Sequence, residues 1–391
     1  MTPIGAAEDQ LREEGSRIMG RNIDLGVFLP ITNNGWIISK NSPQFLPTFD
    51  LNREICQLAE RADFSYVFSM AKWRGFGGEV EFWKHSIDSL ILMTGLASAA
   101  PTLQLIASIS PALIHPAIFA KMSASMDDVS HGRMGINIVS AANKGEYTQM
   151  GMWPENFESY RYEYNDEWVS VVKRLWAEDS VTHNGRFFQL DDCISFPKPL
   201  NRSMPIVCAT SSERGFKFVA EHCTDGFFGV ESLEAQKTMS RRVKEVAAEY
   251  NRTVRTHTLL MVIQGDSDVD AQKILKHYEA GADHQAIENI YKLRAREKTG
   301  PRFERLQRRF ESDLRLFYDG VPFVGGPERV ADRIEELAVD GDLDGFLFIF
   351  ADFIDGLKRF EQQVVPLLRK RGLGRLTPPF APPKVQARAS M

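Results

Sequence analysis

At 391 residues, with 43% hydrophobic and 25% charged side chains, the chain has the make-up of a globular enzyme able to bury a sizeable core. Its formal net charge of −5 offers no basic field for a nucleic-acid backbone or an anionic membrane, so small molecules are the expected ligands. Cys56, Cys193, Cys208 and Cys223 are too few and too irregularly spaced for a disulfide framework or a zinc site, and reduced thiols of a cytoplasmic protein are expected.

Residues 1–22 carry Glu8, Asp9, Glu13 and Glu14 without the apolar core of a secretory signal, and read as a disordered arm. Ile23–Leu29 is a first strand, closed by Pro30. A turn-rich loop leads to Asp50, the expected N-cap of a helix that places Leu51, Ile55, Leu58, Ala59 and Ala62 on one face. Phe64–Met70 reads as a strand, Ala71–Gly78 as a glycine-rich loop, Ile87–Ala99 as a helix and Leu103–Ile109 as a strand. The apolar stretch Leu90–Ala120 is broken by Pro101, Gln104, Pro111, His115 and Pro116, which denies it the roughly 20 unbroken residues of a membrane span. His115-Pro116 opens the next helix and Gly132 stops it.

Arg133–Trp153 is the focal stretch. It predicts a buried strand containing one amide, Asn137, and then a polar loop with Lys144, Glu146 and Tyr147. From Tyr160, apolar residues keep helical spacing through Trp176. Residues 179–200 read as an inserted hairpin turned at Asn184-Gly185. Strand Pro205–Ala209, helix Ser211–His222, strand Thr224–Val230, helix Leu233–Tyr250 and strand His257–Gln264 follow. Residues 265–320 interrupt the rhythm with a charged, helical insertion containing Arg294, Arg296, Arg302, Arg305, Arg308 and Arg309, read as a solvated or subunit-contacting face. Gly325-Gly326-Pro327 opens a helix, Gly345–Phe350 is a buried strand, Ile354–Leu368 is the last helix, and residues 371–391 form a tail. Eight strands alternating with about eight helices predict one (β/α)8 barrel over residues 23–370.

No His-x-x-x-His, calcium loop or Gly-x-Ser-x-Gly elbow is present, so no metal is expected and a serine hydrolase is disfavoured. Cys208–Gly215 runs a strand into Thr210, Ser211 and Ser212 at a helix start, an arrangement that suits either a phosphate or a simple N-cap. Ser159-Tyr160-Arg161-Tyr162 sets a cation and hydroxyls at another helix start, and the two together favour a phosphate-bearing cofactor. Asn137 in its apolar strand must have a partner. That partner is either structural, such as Ser108 on the neighbouring strand, or a bound ring or dioxygen.

Asn33-Asn34-Gly35-Trp36, Lys72–Gly78, Phe82-Trp83, Gly132–Asn137, Glu146–Gly151 and Arg161–Tyr164 closely resemble the bacterial luciferase-like flavin monooxygenases, and among them the pyrimidine monooxygenases of uracil catabolism. The resemblance implies a barrel that takes reduced FMN from a separate flavin reductase, itself fed by NAD(P)H, and uses O2 to oxygenate a small ring. A homodimer or higher homo-oligomer is implied as well. By matching motifs, Ala71, Lys72, Asn137, Glu146, Arg161, Tyr162 and Ser212 fall on flavin-contact positions, with Ser212 at the phosphate, while Asn137 and Ser108 shape the oxygen pocket. The substrate wall departs from that branch. Val139-Ser140-Ala141-Ala142 stands where Val-Thr-Gly-Trp is expected, Leu113 replaces a threonine and Trp73 a leucine, so a larger or less polar aromatic or heterocyclic ring than uracil is expected. Two other readings of the barrel are a deazaflavin-dependent dehydrogenase or reductase that needs no O2, and a non-catalytic flavin-binding protein.

Overall fold

Alternation of short apolar strands with amphipathic helices forces a parallel sheet covered by helices, and the computed structural model closes that sheet into a cylinder. It describes residues 21–140, 144–210, 212–229, 232–294, 316–318 and 322–374. The expected N-terminal arm up to residue 20, the arginine-rich run 295–315 and the tail beyond residue 374 lie outside the described residues.

In chain order the elements are β1 (Asp24–Phe28), α1 (Phe49–Arg61), β2 (Tyr66–Phe68), α2 (Ser89–Leu96), β3 (Gln104–Ile109), α3 (Pro116–Val129), β4 (Met134–Ile138), α4 (Lys144–Thr148), α5 (Phe157–Ala177), the hairpin β5 (Ser180–Asn184) and β6 (Gln189–Ile194), β7 (Ile206–Ala209), α6 (Glu213–His222), β8 (Asp225–Phe228), α7 (Leu233–Glu249), β9 (Arg255–Gln264), α8 (Asp268–Ala280), α9 (His284–Arg294), β10 (Pro322–Gly325), α10 (Pro327–Val339), β11 (Gly345–Phe350), α11 (Phe353–Arg359) and α12 (Val365–Lys370). Strands β1, β2, β3, β4, β7, β8, β9 and β11 pair in parallel, and β11 returns to β1 to complete the barrel. All eight coincide with the strands expected from periodicity.

The barrel lumen is packed with side chains. Tyr66, Phe68, Ile106, Val207, Phe227 and Leu347 fill it, and glycine makes room where rings are large. A Cβ on Gly26 would lie 2.2 Å from the Tyr66 ring. At the floor, Asp225 Oδ1 is 2.8 Å from His257 Nε2 and 2.7 Å from Arg255 Nη2, and the Tyr66 hydroxyl donates to the Phe346 carbonyl at 3.0 Å. Outside, Trp168 and Trp176 of α5 are fully buried, as the helical spacing of that segment requires.

Several boundaries differ from the sequence reading for identifiable reasons. Thr48, not Asp50, caps α1, its side chain accepting the N–H of Leu51; Asp50 serves inside the first turn, where a carboxylate favours the helix dipole. The segment read as a polar loop at residues 144–148 coils into α4 because Glu146 and Tyr147 are drawn inward. Strand β10 was not expected at all. Four residues bounded by Pro322 and Gly325 show no alternation, and β10 exists because the ten-residue β9 offers Met261–Gln264 for pairing. Within the last helix Pro366 lacks the N–H that would bond the preceding turn. Residues Phe360–Val364 accordingly widen into a π turn, with the Val365 N–H reaching the Phe360 carbonyl.

Among the described residues no helix is long and apolar enough to cross a membrane, and no group of three or more His, Cys, Asp or Glu could hold a metal ion.

Candidate active site

The carboxyl ends of the barrel strands converge on a polar mouth above the apolar lumen. In register, Ser108 of β3 stands opposite Asn137 of β4, which in turn stands opposite Val207 of β7. Asn137 Nδ2 donates to Ser108 Oγ at 2.7 Å, so the structural partner expected from sequence takes one half of the amide. The other half, Oδ1, is buried with no hydrogen-bond partner among the described residues. An orphaned buried carbonyl is costly unless something occupies the space beside it.

One wall is the loop after β2. Ala71 is half-buried there, and Lys72 forms a buried ion pair with Glu146 of α4, their side chains being 4% and 9% exposed. The Lys72 ammonium also lies 4.3 Å from the centre of the Phe76 ring. Glu146 accepts the Trp73 N–H at 2.8 Å, and Gln149 donates to the Trp73 carbonyl at 2.8 Å. Loop and helix are thus tied together by a charge pair and two backbone contacts, and the partner of Lys72 lies 74 residues further along the chain. Beside Glu146, burial and that carboxylate push the Tyr147 phenol up to about 12, so it stays protonated.

The opposite wall is built at two helix starts. Tyr162 of α5 brings its hydroxyl to 3.1 Å from Ser212 Oγ, and Ser212 caps α6 by accepting the Gly215 N–H at 3.1 Å. The Arg161 guanidinium lies 5.3 Å and that of Arg214 5.5 Å from the Tyr162 ring. Arg161, Tyr162 and Ser212 therefore come together, two hydroxyls and two cations at a helix N-terminus, a donor set suited to a phosphate dianion. Arg214 escaped the sequence reading because nothing in its spacing distinguishes it from a surface residue. It pairs with Asp166, whose other oxygen is 3.3 Å from His222 Nε2.

Of the expected substrate-wall residues, Ser140 accepts a hydrogen bond from Asn165 at 2.5 Å. Leu113 packs against the buried aromatic cluster of Tyr147 and Phe157. Trp73 is 42% exposed, and Ala142 lies outside the described residues.

Residues 23–343 match the family model described as luciferase-like monooxygenase. The chain belongs to that family. Among luciferase-like monooxygenases and their relatives, the chain is 37% identical over 361 residues to pyrimidine monooxygenase RutA of Stutzerimonas stutzeri, covering 89% of this chain and 97% of the relative. The barrel is similar to riboflavin lyase RcaE, solved with modified FMN and riboflavin, at a TM-score of 0.83 and 21% identity over 93% of this chain and 94% of the other. It is similar also to long-chain alkane monooxygenase LadA, at a TM-score of 0.79 and 20% identity over 92% and 94%. The luciferase-like membership makes this protein a monooxygenase on a (β/α)8 barrel, a fold whose active sites lie at the mouth.

Proposed function

We propose that the protein is the oxygenase component of a two-component system, binding reduced FMN made by a separate NAD(P)H-fed flavin reductase and using O2 to oxygenate a small aromatic or N-heterocyclic, pyrimidine-like ring. The observation that carries this reading is the buried Oδ1 of Asn137 at the mouth, without a partner among the described residues, in a chain 37% identical to a pyrimidine monooxygenase. The residues present fit the cofactor. Arg161, Tyr162 and Ser212 would hold the phosphate; Ala71, Lys72, Glu146 and Asn137 would border the ring. Bound reduced flavin supplies the electrons that activate dioxygen.

The chain's own residues then have definite tasks. Ser108 and Asn137 keep a polar recess in an otherwise apolar lumen. The Lys72–Glu146 pair fixes α4 against the β2 loop and excludes water from that side. Trp73, Leu113, Ser140 and Ala142 set the volume offered to the substrate, and the methyl of Ala142 where the pyrimidine branch has an indole favours a ring larger or less polar than uracil.

The test is isotope incorporation. With FMN, a flavin reductase and NADPH under 18O2, one labelled oxygen is expected in a bulkier ring, with slower turnover of uracil. Efficient labelling of uracil and none of bulkier rings overturns the substrate assignment. Product formation without O2 overturns the oxygenase and favours the dehydrogenase reading.

A further inference from the structure

Four buried residues, two on strands, one just past a strand and one on a helix, form a single hydrogen-bonded chain beneath the mouth. Ser89, the first residue of α2, and Ser69, just past β2, share a hydrogen across 2.6 Å between their Oγ atoms. Ser89 Oγ also accepts the backbone N–H of Ser108 at 2.8 Å, and Ser108 Oγ donates to the Ser69 carbonyl at 2.6 Å. A carbonyl has no hydrogen to give, so the one hydroxyl proton of Ser108 is committed to Ser69 and its oxygen is left to accept. The Asn137 amide must therefore turn its NH2 toward Ser108, at 2.7 Å, and its Oδ1 away. The orientation follows from this proton count and not merely from the placement of two similar atoms.

We propose that Ser108, its hydroxyl proton committed to the Ser69 carbonyl and its backbone held by Ser89, is a positioning residue that locks Asn137 as a hydrogen-bond acceptor for a ring N–H that flavin carries only when reduced. The inference rests on the FMN reading above. Oxidised FMN lacks that hydrogen, so the locked oxygen discriminates between the two redox forms. Without the Ser108 oxygen the amide could rotate and offer its NH2 instead, and the discrimination would fade.

The test is an anaerobic redox titration of FMN bound to the full-length protein, with binding of each redox form followed by flavin fluorescence and absorbance. In Ser108→Ala the ratio of reduced to oxidised affinity is expected to fall about tenfold, the effect of one hydrogen bond, which lowers the midpoint potential by about 30 mV for a two-electron couple. Affinity for oxidised FMN is expected to hold or rise. Variants that melt like the wild type yet keep its potential overturn the proposal. Should loss of a buried hydroxyl unfold the chain, Asn137→Leu tests the same acceptor, and an unmoved potential there overturns it too, because water or substrate then satisfies Oδ1. Failure of the wild type to bind FMN in either form overturns the flavin reading itself.

Discussion

Lys72 and Glu146 illustrate what a single buried charge does to its surroundings. Each is nearly sealed from solvent, so replacing Lys72 by an apolar side chain takes from the Glu146 carboxylate the opposite charge it meets in low dielectric, at a cost of roughly 3–5 kcal/mol. Lys72→Met is expected to lower the unfolding free energy in urea by that order, and the double change Lys72→Met with Glu146→Leu to recover much of it. Equal loss in single and double variants would show that the pair is not coupled. Cysteine chemistry follows the same logic of burial. Cys56 and Cys223 are fully buried, and burial pushes the Cys208 thiol up to about 12, whereas Cys193 on β6 is half-exposed. Iodoacetamide at pH 8 is expected to add one group per native chain, at Cys193, and four after denaturation, read by intact mass.

At the scale of elements, the inserted hairpin depends on one carboxylate. Glu167 of α5 accepts the backbone N–H groups of Arg186, Phe187 and Phe188 at 2.9–3.1 Å and meets His183 Nε2 at 3.1 Å. Burial alone would raise its pKa, but these donors, Phe188 first, outweigh burial and hold the carboxyl below the usual range. Glu167→Ala is expected to speed amide exchange at residues 183–188 by at least tenfold while the barrel strands keep their protection, since one such charged acceptor contributes about 1.5–3 kcal/mol. Periodicity reveals elements that bury a stripe of their own, which is why the eight barrel strands and α5 were legible. It misses elements that exist only through a distant partner. α4 coils because Glu146 finds Lys72, and β10 because β9 overshoots. The site divides the same way. Asn137 stood out as an amide in an apolar strand, and Ser212 as a helix start. Ser69, Ser89 and Arg214 carry no local mark, since their contacts lie 20, 39 and 48 residues away in sequence.

For the whole molecule, stability is divided between the two ends of the barrel. The mouth leaves the Asn137 Oδ1 without a partner among the described residues, as a site can; the floor is knitted by Asp225, Arg255, His257 and Tyr66. Burial works to raise the Asp225 pKa, but the His257 hydrogen bond and the charges of His257 and Arg255 overcome it and leave the carboxyl below its ordinary value. A depressed folded pKa stabilises fully above the unfolded carboxylate value of about 3.9 and loses that contribution as pH falls through the folded value. The stability deficit of Asp225→Asn, measured in urea, is therefore expected to be largest near pH 6 and to shrink as pH falls below about 4. A deficit constant with pH would mean that Asp225 contributes shape and not charge.

The widened turn before Pro366 also governs how the chain is fastened at its far end. Arg371, just past α12, reaches Glu328, Asp332 and Glu335 on α10 at 2.7–2.9 Å. Each helical residue advances the azimuth by about 100°. Excising Gln362 would restore ordinary winding yet swing Leu368 toward solvent and carry the guanidinium off its three acids. The clasp is thus timed by an imino acid four positions downstream, and a one-residue shortening there unbuttons the barrel's last seam without touching the seam itself.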